Sequence, residues 1–316
     1  MTLSSDFIKA QALEVGFDIC GIAPAGVMPQ MLDRFTAWLG CGYHAQMHYM
    51  EEHLEMRCNP QLLVEGAQSV ICMAVGYKPD RMIQSSVKIA QYAYGEDYHT
   101  RIKSMLFALI GRIREQYPDF EAKPCVDTVP ISDKLWAAQS GIGWIGRNTL
   151  LVTRQCGSYV NLAELVTTME CDRYDSPIEN LCGECRKCVT ACPNHAIADG
   201  VLDANRCNAY NTIENRSESL PEGINLCGYA FGCDCCQLVC PYNAAAESRV
   251  HVSDELFAEL ESLPDADEVA FKRAAKHRAL NRVKYAQWQR NIKKIRVDGA
   301  THSKVNSLSD DRQTNK

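Results

Sequence analysis

Three features are missing from this 316-residue chain. It has no run of about 18 consecutive apolar residues, so no membrane-spanning helix is expected. Its start, MTLSSDFIKAQALEVGFDICGIAP, is broken by Asp6, Lys9 and Glu14. That start has neither the basic flank and apolar core of a secretory signal nor a twin arginine, so a cytoplasmic setting is expected and export is not. Positive charge is not in excess either: 33 Lys and Arg against 39 Asp and Glu leave a net charge of −6. This argues against nucleic-acid binding by the molecule as a whole, while leaving room for a local patch. Cysteine, in contrast, is abundant. Seventeen cysteines would suit a disulfide scaffold in a small exported protein, but this chain is large, the count is odd and no export signal is present. Reduced thiols serving metal are the better expectation. A hydrophobic content of 46% and a charged content of 23% describe a soluble globular chain long enough for a buried core and more than one domain.

Hydrophobic patterning predicts the α+β class, with an α/β-like alternation in the N-terminal part. Residues 1–60 read as mostly helical. SVICMAVGY (69–77) is apolar and β-branched enough for a buried strand. RIKSMLFALIGRIREQY (101–117) has apolar residues at 102, 105, 106, 109, 110 and 113, which is the spacing of a helix packed on a sheet. CVDTVPI (125–131) and TLLVT (149–153) are further strand candidates, with a short helix near 132–140 and a glycine-punctuated loop, GIGWIGRNT, at 141–149. The composition breaks into four parts: 1–175, a cysteine-rich 176–250, a basic helical 251–296, and a polar stretch, 297–316, expected to be disordered.

The cysteines fall into two runs. The first is Cys182-x2-Cys185-x2-Cys188-x3-Cys192-Pro193, the spacing of bacterial 4Fe-4S ferredoxins. Three thiolates two residues apart wrap one cubane cluster on a tight loop. The fourth, expected to open a helix before the proline, serves the neighbouring cluster. The second run supplies Cys233, Cys236 and Cys240, with Ala230 where a full copy would have a further cysteine. Two cubanes need about eight thiolates, and the runs hold seven. Spacing leaves Cys207 and Cys227 as alternatives for the last. The expected allocation is Cys182, Cys185, Cys188 and Cys240 on one cluster, with Cys192, Cys233, Cys236 and one of those two on the other. Cys235 competes with its neighbours, but the spacing favours Cys233 and Cys236. Zinc sites rarely show this doubled spacing, so iron–sulfur is expected.

Five stretches then acquire a common meaning: GFDICGIAP (16–24), MHYMEEHLEMRCNPQLLVEGAQSVI (47–71), YAYGEDYHTRI (92–102), DTVPISDKLWAAQSGIGWIGRNTLLV (127–152) and FGCDCCQLVCPYN (231–243). In this order they resemble the epoxyqueuosine reductases, over about residues 10–296. The resemblance implies a cobalamin-dependent enzyme that reduces epoxyqueuosine to queuosine at the wobble position of certain tRNAs, the last step of queuosine biosynthesis. Cobalamin would be held in the N-terminal part without the usual binding motif, and no DxHxxG-type run is present. It implies Asp127 as proton donor. Taken alone, Asp127 would be a helix-capping or turn aspartate; as a donor it would need a pKa raised by burial. It implies Arg57 as a cofactor contact, whose planar fork suits corrin amides or a phosphate. Tyr98, His99, Trp144, Asn148 and Ser158 join the same cofactor-binding set. The segment LDANRCNAYNTIE (202–214) matches the one that supplies the eighth ligand, which selects Cys207. Two departures stand out: Cys235 sits where the family commonly has aspartate, and the chain ends before the C-terminal helical-repeat extension of many members.

FKRAAKHRALNRVKYAQWQRNIKKIR (271–296) holds ten Lys and Arg and no acidic residue. A lone basic helix is usually a solvated face. With a tRNA substrate implied, these cations, Lys293 and Lys294 among them, with Tyr285 and Trp288 interleaved, are expected to track RNA phosphates. The rival expectations are a corrinoid reductive dehalogenase and a plain ferredoxin-like electron carrier. The missing twin arginine counts against the first, and the long upstream domain against the second. The expected partners are tRNA and a separate electron donor, with the chain acting as a monomer.

Overall fold

The computed structural model describes residues 2–198 and 200–310, with side chains through residue 299. The N-terminal part is built on a four-stranded sheet in the order Ile19–Pro24, Ser69–Gly76, Val160–Thr167, Ala122–Cys125. Every pairing in it is antiparallel, so the alternation of helix and strand resolves to α+β. Ser69–Gly76 is an inner strand buried along its whole length, which is why it reads as an unbroken apolar run.

Strand alternation divides this strand between two cores. Ile71 and Met73 face the helices Ser5–Val15 and Tyr98–Gln116, packing with Ile8, Ile102, Leu106 and Leu109. Val70, Cys72 and Ala74 face the helix Asp133–Gln139 through Trp136 and Ala137. Burying one such large side chain stabilises the fold by about 1.5–3 kcal/mol. These two faces set the positions of both helices that flank the site.

Several expectations shift. A strand, Ile19–Pro24, interrupts the helical reading of 1–60. The strand expected at 125–131 lies at Ala122–Cys125 instead, on the edge of the sheet, where Pro124 withholds no ladder donor that the sheet needs; residues 126–131 are turns. The glycine loop at 141–149 contains a two-residue strand, Trp144–Ile145, paired with Leu151–Val152. A Cβ on Gly143 would sit 2.4 Å from the Val152 carbonyl oxygen, so this glycine is required by strand approach. The patterning analysis passed over the inner strand Val160–Thr167 altogether.

A third core joins Ile83, Ile89 and Tyr94 to Phe231, Phe271, Trp288 and Ile292. The basic stretch is therefore partly internal. Trp288 is fully buried and stacks on Phe271 at 5.2 Å, and the Tyr285 hydroxyl donates to the Ala266 carbonyl at 3.0 Å. Trp288 is therefore not free to meet RNA, which corrects that expectation, while Tyr285 is half-buried. Lys294 pairs with Asp298, Arg278 with Glu259 and Arg282 with Glu214. Helix Tyr285–Asp310 continues through the stretch expected to be disordered from 297; residues 311–316 lie outside the described residues.

The cysteine-bearing region is stitched to the sheet domain by buried amides. Gln237 Nε2 donates to the Ser158 carbonyl at 3.0 Å, Asn243 Nδ2 donates to Ser158 Oγ at 2.9 Å, and Gln91 N donates to Asp234 at 2.9 Å. No helix among the described residues is long and apolar enough to cross a membrane.

Candidate active site

A cavity of about 2180 Å³ opens between the sheet domain, the cysteine region and the basic stretch. Its catalytic-looking wall starts where the edge strand ends. Asp127 adopts a left-handed backbone, φ 50°, a conformation costly for a non-glycine residue and concentrated at functional sites. The turn aims its carboxylate at the start of the helix Tyr98–Gln116. There the Tyr98 hydroxyl donates to Asp127 Oδ2 at 3.2 Å, and His99 Nε2 lies 3.0 Å from the same oxygen. The other ring nitrogen of His99 lies 2.7 Å from Asp97 Oδ1. Asp97 also caps the helix by accepting from the His99 backbone N–H at 3.0 Å. Between two carboxylates the charged imidazole is favoured: the Asp127 hydrogen bond raises the His99 pKa, against burial, and Asp97 adds to it. The same contact lowers Asp127, with burial opposing. The expected raised pKa of Asp127 is thus reversed. In this geometry the proton rests on His99, because the carboxylate is more than half exposed to the cavity and has a cation beside it.

Arg57 lines the cavity and donates to the Tyr49 carbonyl at 3.0 Å. Among the described residues it forms no ion pair, so its charge stays available. Trp144 lines the cavity too, but its ring is 2% exposed and packs edge-on against Tyr242 at 4.8 Å; what it offers is an indole N–H. Asn148 and Ser158 do not line the cavity. Asn148 is buried, with its side-chain oxygen accepting from the Leu150 N–H at 3.3 Å. Ser158 is buried in the amide network with Gln237 and Asn243 described above. Both expectations are corrected by burial, which a loop position in the sequence does not reveal.

Three cavity-lining residues carry buried polar atoms without a partner: Trp144 Nε1, Arg147 Nε and Asp133 Oδ1. Such orphans cost roughly 1–3 kcal/mol each unless a ligand meets them. A large, amide-rich and phosphate-bearing group such as a corrinoid, which offers both acceptors and amide N–H donors, fits these two orphan donors and one orphan oxygen, an arginine without an ion pair, and this volume.

The cysteine region contributes Cys182 and Cys207 to the lining of the same cavity. The Cys188 thiol is raised chiefly by burial, and the neighbouring Cys182 and Cys240 thiols add to it. The Cys236 thiol is likewise raised by burial, then by Cys207, Cys188 and Cys192. Cys207 has Cys192 beside it, whereas Cys227 is exposed and lies beside Cys235. Cys240 opens the helix Pro241–Ala245. Cys192 does not open a helix as expected: it sits in a turn after Lys187–Thr190, and its sulfur accepts from the Ala196 N–H at 3.2 Å.

A buried acid pair, Glu164 and Asp133, leaves only one mark in the hydrophobic pattern. Glu164 is fully buried at the centre of the sheet, in register with Cys72 on one side and Cys125 on the other, and neither carboxylate oxygen has a donor. Its neighbour is Asp133, on the cavity wall. Two carboxylates bond to each other when one carries a proton. Burial raises Asp133 to about 6 and Glu164 well above its usual range. The available signal was the lone Glu in the apolar run VNLAELVT. A carboxyl whose folded pKa is raised contributes stability below its unfolded pKa of about 4.3, and that contribution is lost as pH rises through the folded value. Thermal unfolding followed from about pH 5 to pH 9 should therefore show the wild type losing stability as pH rises. Glu164→Gln should be markedly flatter; parallel profiles would show that Glu164 is not the titrating group.

Comparison with known families and proteins accounts for this combination. Residues 57–128 match the family described as epoxyqueuosine reductase QueG, DUF1730, a segment that holds Arg57, Tyr98, His99 and Asp127. Residues 181–243 match a 4Fe-4S double cluster binding domain. The epoxyqueuosine reductase of Leadbetterella byssophila is 38% identical over 293 residues, covering 90% of this chain and 96% of that protein. That of Cellulophaga algicola is 39% identical over 300 residues, covering 91% and 96%. A crystal structure of an epoxyqueuosine reductase with a tRNA-Tyr epoxyqueuosine-modified stem loop superposes with a TM-score of 0.80 at 29% identity, covering 91% of this chain and 79% of that one. With such identity across nine-tenths of its length, and with its cavity walled by both the cysteine region and Asp127, this chain belongs to the epoxyqueuosine reductase family.

Proposed function

We propose that this protein reduces epoxyqueuosine to queuosine at the wobble position of tRNA, with cobalamin and two 4Fe-4S clusters as its cofactors. The observation that carries this reading is that Cys182, Cys207 and Asp127 line one and the same cavity. Removing the epoxide oxygen as water and leaving an alkene takes two electrons and two protons. When bound, cobalamin supplies the low-valent cobalt chemistry that opens the epoxide, and the clusters supply its electrons.

The chain's own residues do the rest. Cys182, Cys185, Cys188 and Cys240 hold one cluster; Cys192, Cys207, Cys233 and Cys236 hold the other. Arg57, Trp144, Arg147 and Asp133 present the polar atoms that grip the corrinoid. Asp97 holds the imidazole of His99 in place. Filling the cavity expels water, and loss of water favours the neutral carboxyl over the carboxylate. One of the two protons then passes from His99 Nε2 to Asp127 Oδ2, which lie 3.0 Å apart, and from there to the opened epoxide; the second is drawn from bulk solvent. Tyr98 keeps Oδ2 in line.

The basic stretch borders the cavity at Arg278 and Arg282. In the same stretch Arg273, Lys276, Lys284 and Lys293 are exposed and make no ion pair among the described residues, so these four are the cations offered to tRNA phosphates. An anticodon loop presents unstacked bases that enter a pocket at a cost of a few kcal/mol. The protein works as a monomer in the cytoplasm and takes electrons from a separate donor.

The test is anaerobic reconstitution with iron, sulfide and cobalamin, then incubation with epoxyqueuosine-containing tRNA and a chemical reductant. Nucleoside mass analysis should show epoxyqueuosine replaced by a product lighter by one oxygen. Persistence of epoxyqueuosine on fully loaded protein would overturn the reading.

A further inference from the structure

Next to the cavity, but outside its lining, lies a group of side chains that the reduction does not use. His44 Nε2 lies 2.7 Å from Glu51 Oε1, and His48 Nδ1 lies 3.1 Å from that same oxygen. All three donor atoms fall within 4.8 Å of one another. We propose that His44, His48 and Glu51 form a binding site for a zinc-class divalent metal ion, which fastens the loop they occupy against the cysteine-bearing region.

Local structure makes the convergence. The residues are spaced H-x3-H-x2-E on a turn, with Ala45 left-handed at φ 55°, followed by the 3-10 helix His48–Met50, and this folding brings the three side chains together. His44 is 9% exposed, with its ring against Trp38 at 6.0 Å, so one ligand is already positioned. His48 and Glu51 close on it from the solvent side, with side chains 75% and 49% exposed, which leaves a coordination position open to water. The two imidazole planes meet at 72°, and both nitrogens aim at one oxygen. A zinc ion with bonds of about 2.0–2.1 Å holds tetrahedral ligand atoms about 3.3 Å apart. The two nitrogen–oxygen separations, 2.7 and 3.1 Å, already lie close to that, and all three ligand atoms fall within 4.8 Å of one another. Two imidazoles and a carboxylate select zinc or a neighbouring first-row ion over calcium or magnesium.

The loop is also a joint. The Tyr43 carbonyl accepts from the Ala204 N–H at 2.8 Å, the Gly42 carbonyl accepts from Asn205 Nδ2 at 3.0 Å, and the Gln46 N–H donates to the Tyr210 hydroxyl at 3.2 Å. Those partners flank Cys207. On its other side the loop lines the cavity with Tyr43, Met47 and Tyr49. An ion tying residues 44, 48 and 51 together would stiffen the span between cavity wall and cysteine region.

The experiment uses anaerobic holo-protein, so that the cluster cysteines are already occupied, and Zn²⁺ as the probe. After dialysis against excess Zn²⁺ and then zinc-free buffer, elemental analysis should find one zinc per wild-type chain. The double variant His48→Ala/Glu51→Gln, at unchanged iron content, should bind it at least about tenfold more weakly, as expected for lost ligands. Hydrogen exchange across 41–53 should slow with zinc in the wild type alone. Equal zinc retention by both proteins, or none by the wild type, would overturn the site. Zinc bound without a change in exchange would overturn the fastening role.

Discussion

Asp127→Asn should lower the turnover of epoxyqueuosine by about 10²–10⁴-fold, the usual contribution of a positioned proton donor, while iron content stays unchanged. Asparagine is the informative replacement. It has the same shape, and it is among the few residues that tolerate the left-handed backbone seen at this position, φ 50°. A loss of activity is then chemical and not a collapse of the turn. The proton inventory sharpens the expectation. In the resting geometry Asp127 raises the pKa of His99 and His99 lowers that of Asp127, so the proton is favoured on the imidazole. Activity should therefore fall as pH rises through the raised pKa of His99, since the pair is then empty. His99→Gln should move that alkaline limb, whereas a purely structural role would scale the profile without shifting it. Single-turnover assays across pH with pre-reduced enzyme measure both. Near wild-type turnover by Asp127→Asn would remove Asp127 from the chemistry.

The second large effect concerns the eighth thiolate. Cys207→Ser should cut the iron content of reconstituted protein from about eight to about four per chain, and Cys227→Ser should leave it at about eight. A serine hydroxyl is a poor substitute for a thiolate at a cluster, and an incompletely held cubane is labile. The geometry distinguishes the two cysteines. Cys207 has Cys192 and Cys236 as neighbours on the cavity side, while Cys227 is exposed with Cys235 beside it. Iron and sulfide assay, supported by electron paramagnetic resonance of the reduced protein, reads the outcome. If Cys227→Ser were the variant that lost iron, the assignment would have to be exchanged.

Legibility followed distance along the chain. The ferredoxin spacing was readable because three thiolates around one cluster come from a single tight loop. The strand Ser69–Gly76 and the helix Tyr98–Gln116 were readable because burial of a whole strand, or of one helical face, writes a periodic pattern into consecutive residues. The strand Val160–Thr167 was passed over: its first three positions are only half-buried and Glu164 breaks its apolar run. In the basic stretch, Trp288 looked available to RNA because its neighbours are cations, yet it fills a core shared with residues from 83 to 94.

From the order of its residues alone, the ferredoxin-type spacing of its cysteines, its main helices and the resemblance to its family were legible, since each is carried by short-range spacing or by motifs in fixed succession. The tertiary structure alone decided which side chains share a cavity, that Asp127 meets His99 across 28 residues, that Ser158 is a buried strut, and where the proton rests. Burial and pairing between distant segments set dielectric and charge at each group, and neither quantity is a property of local sequence.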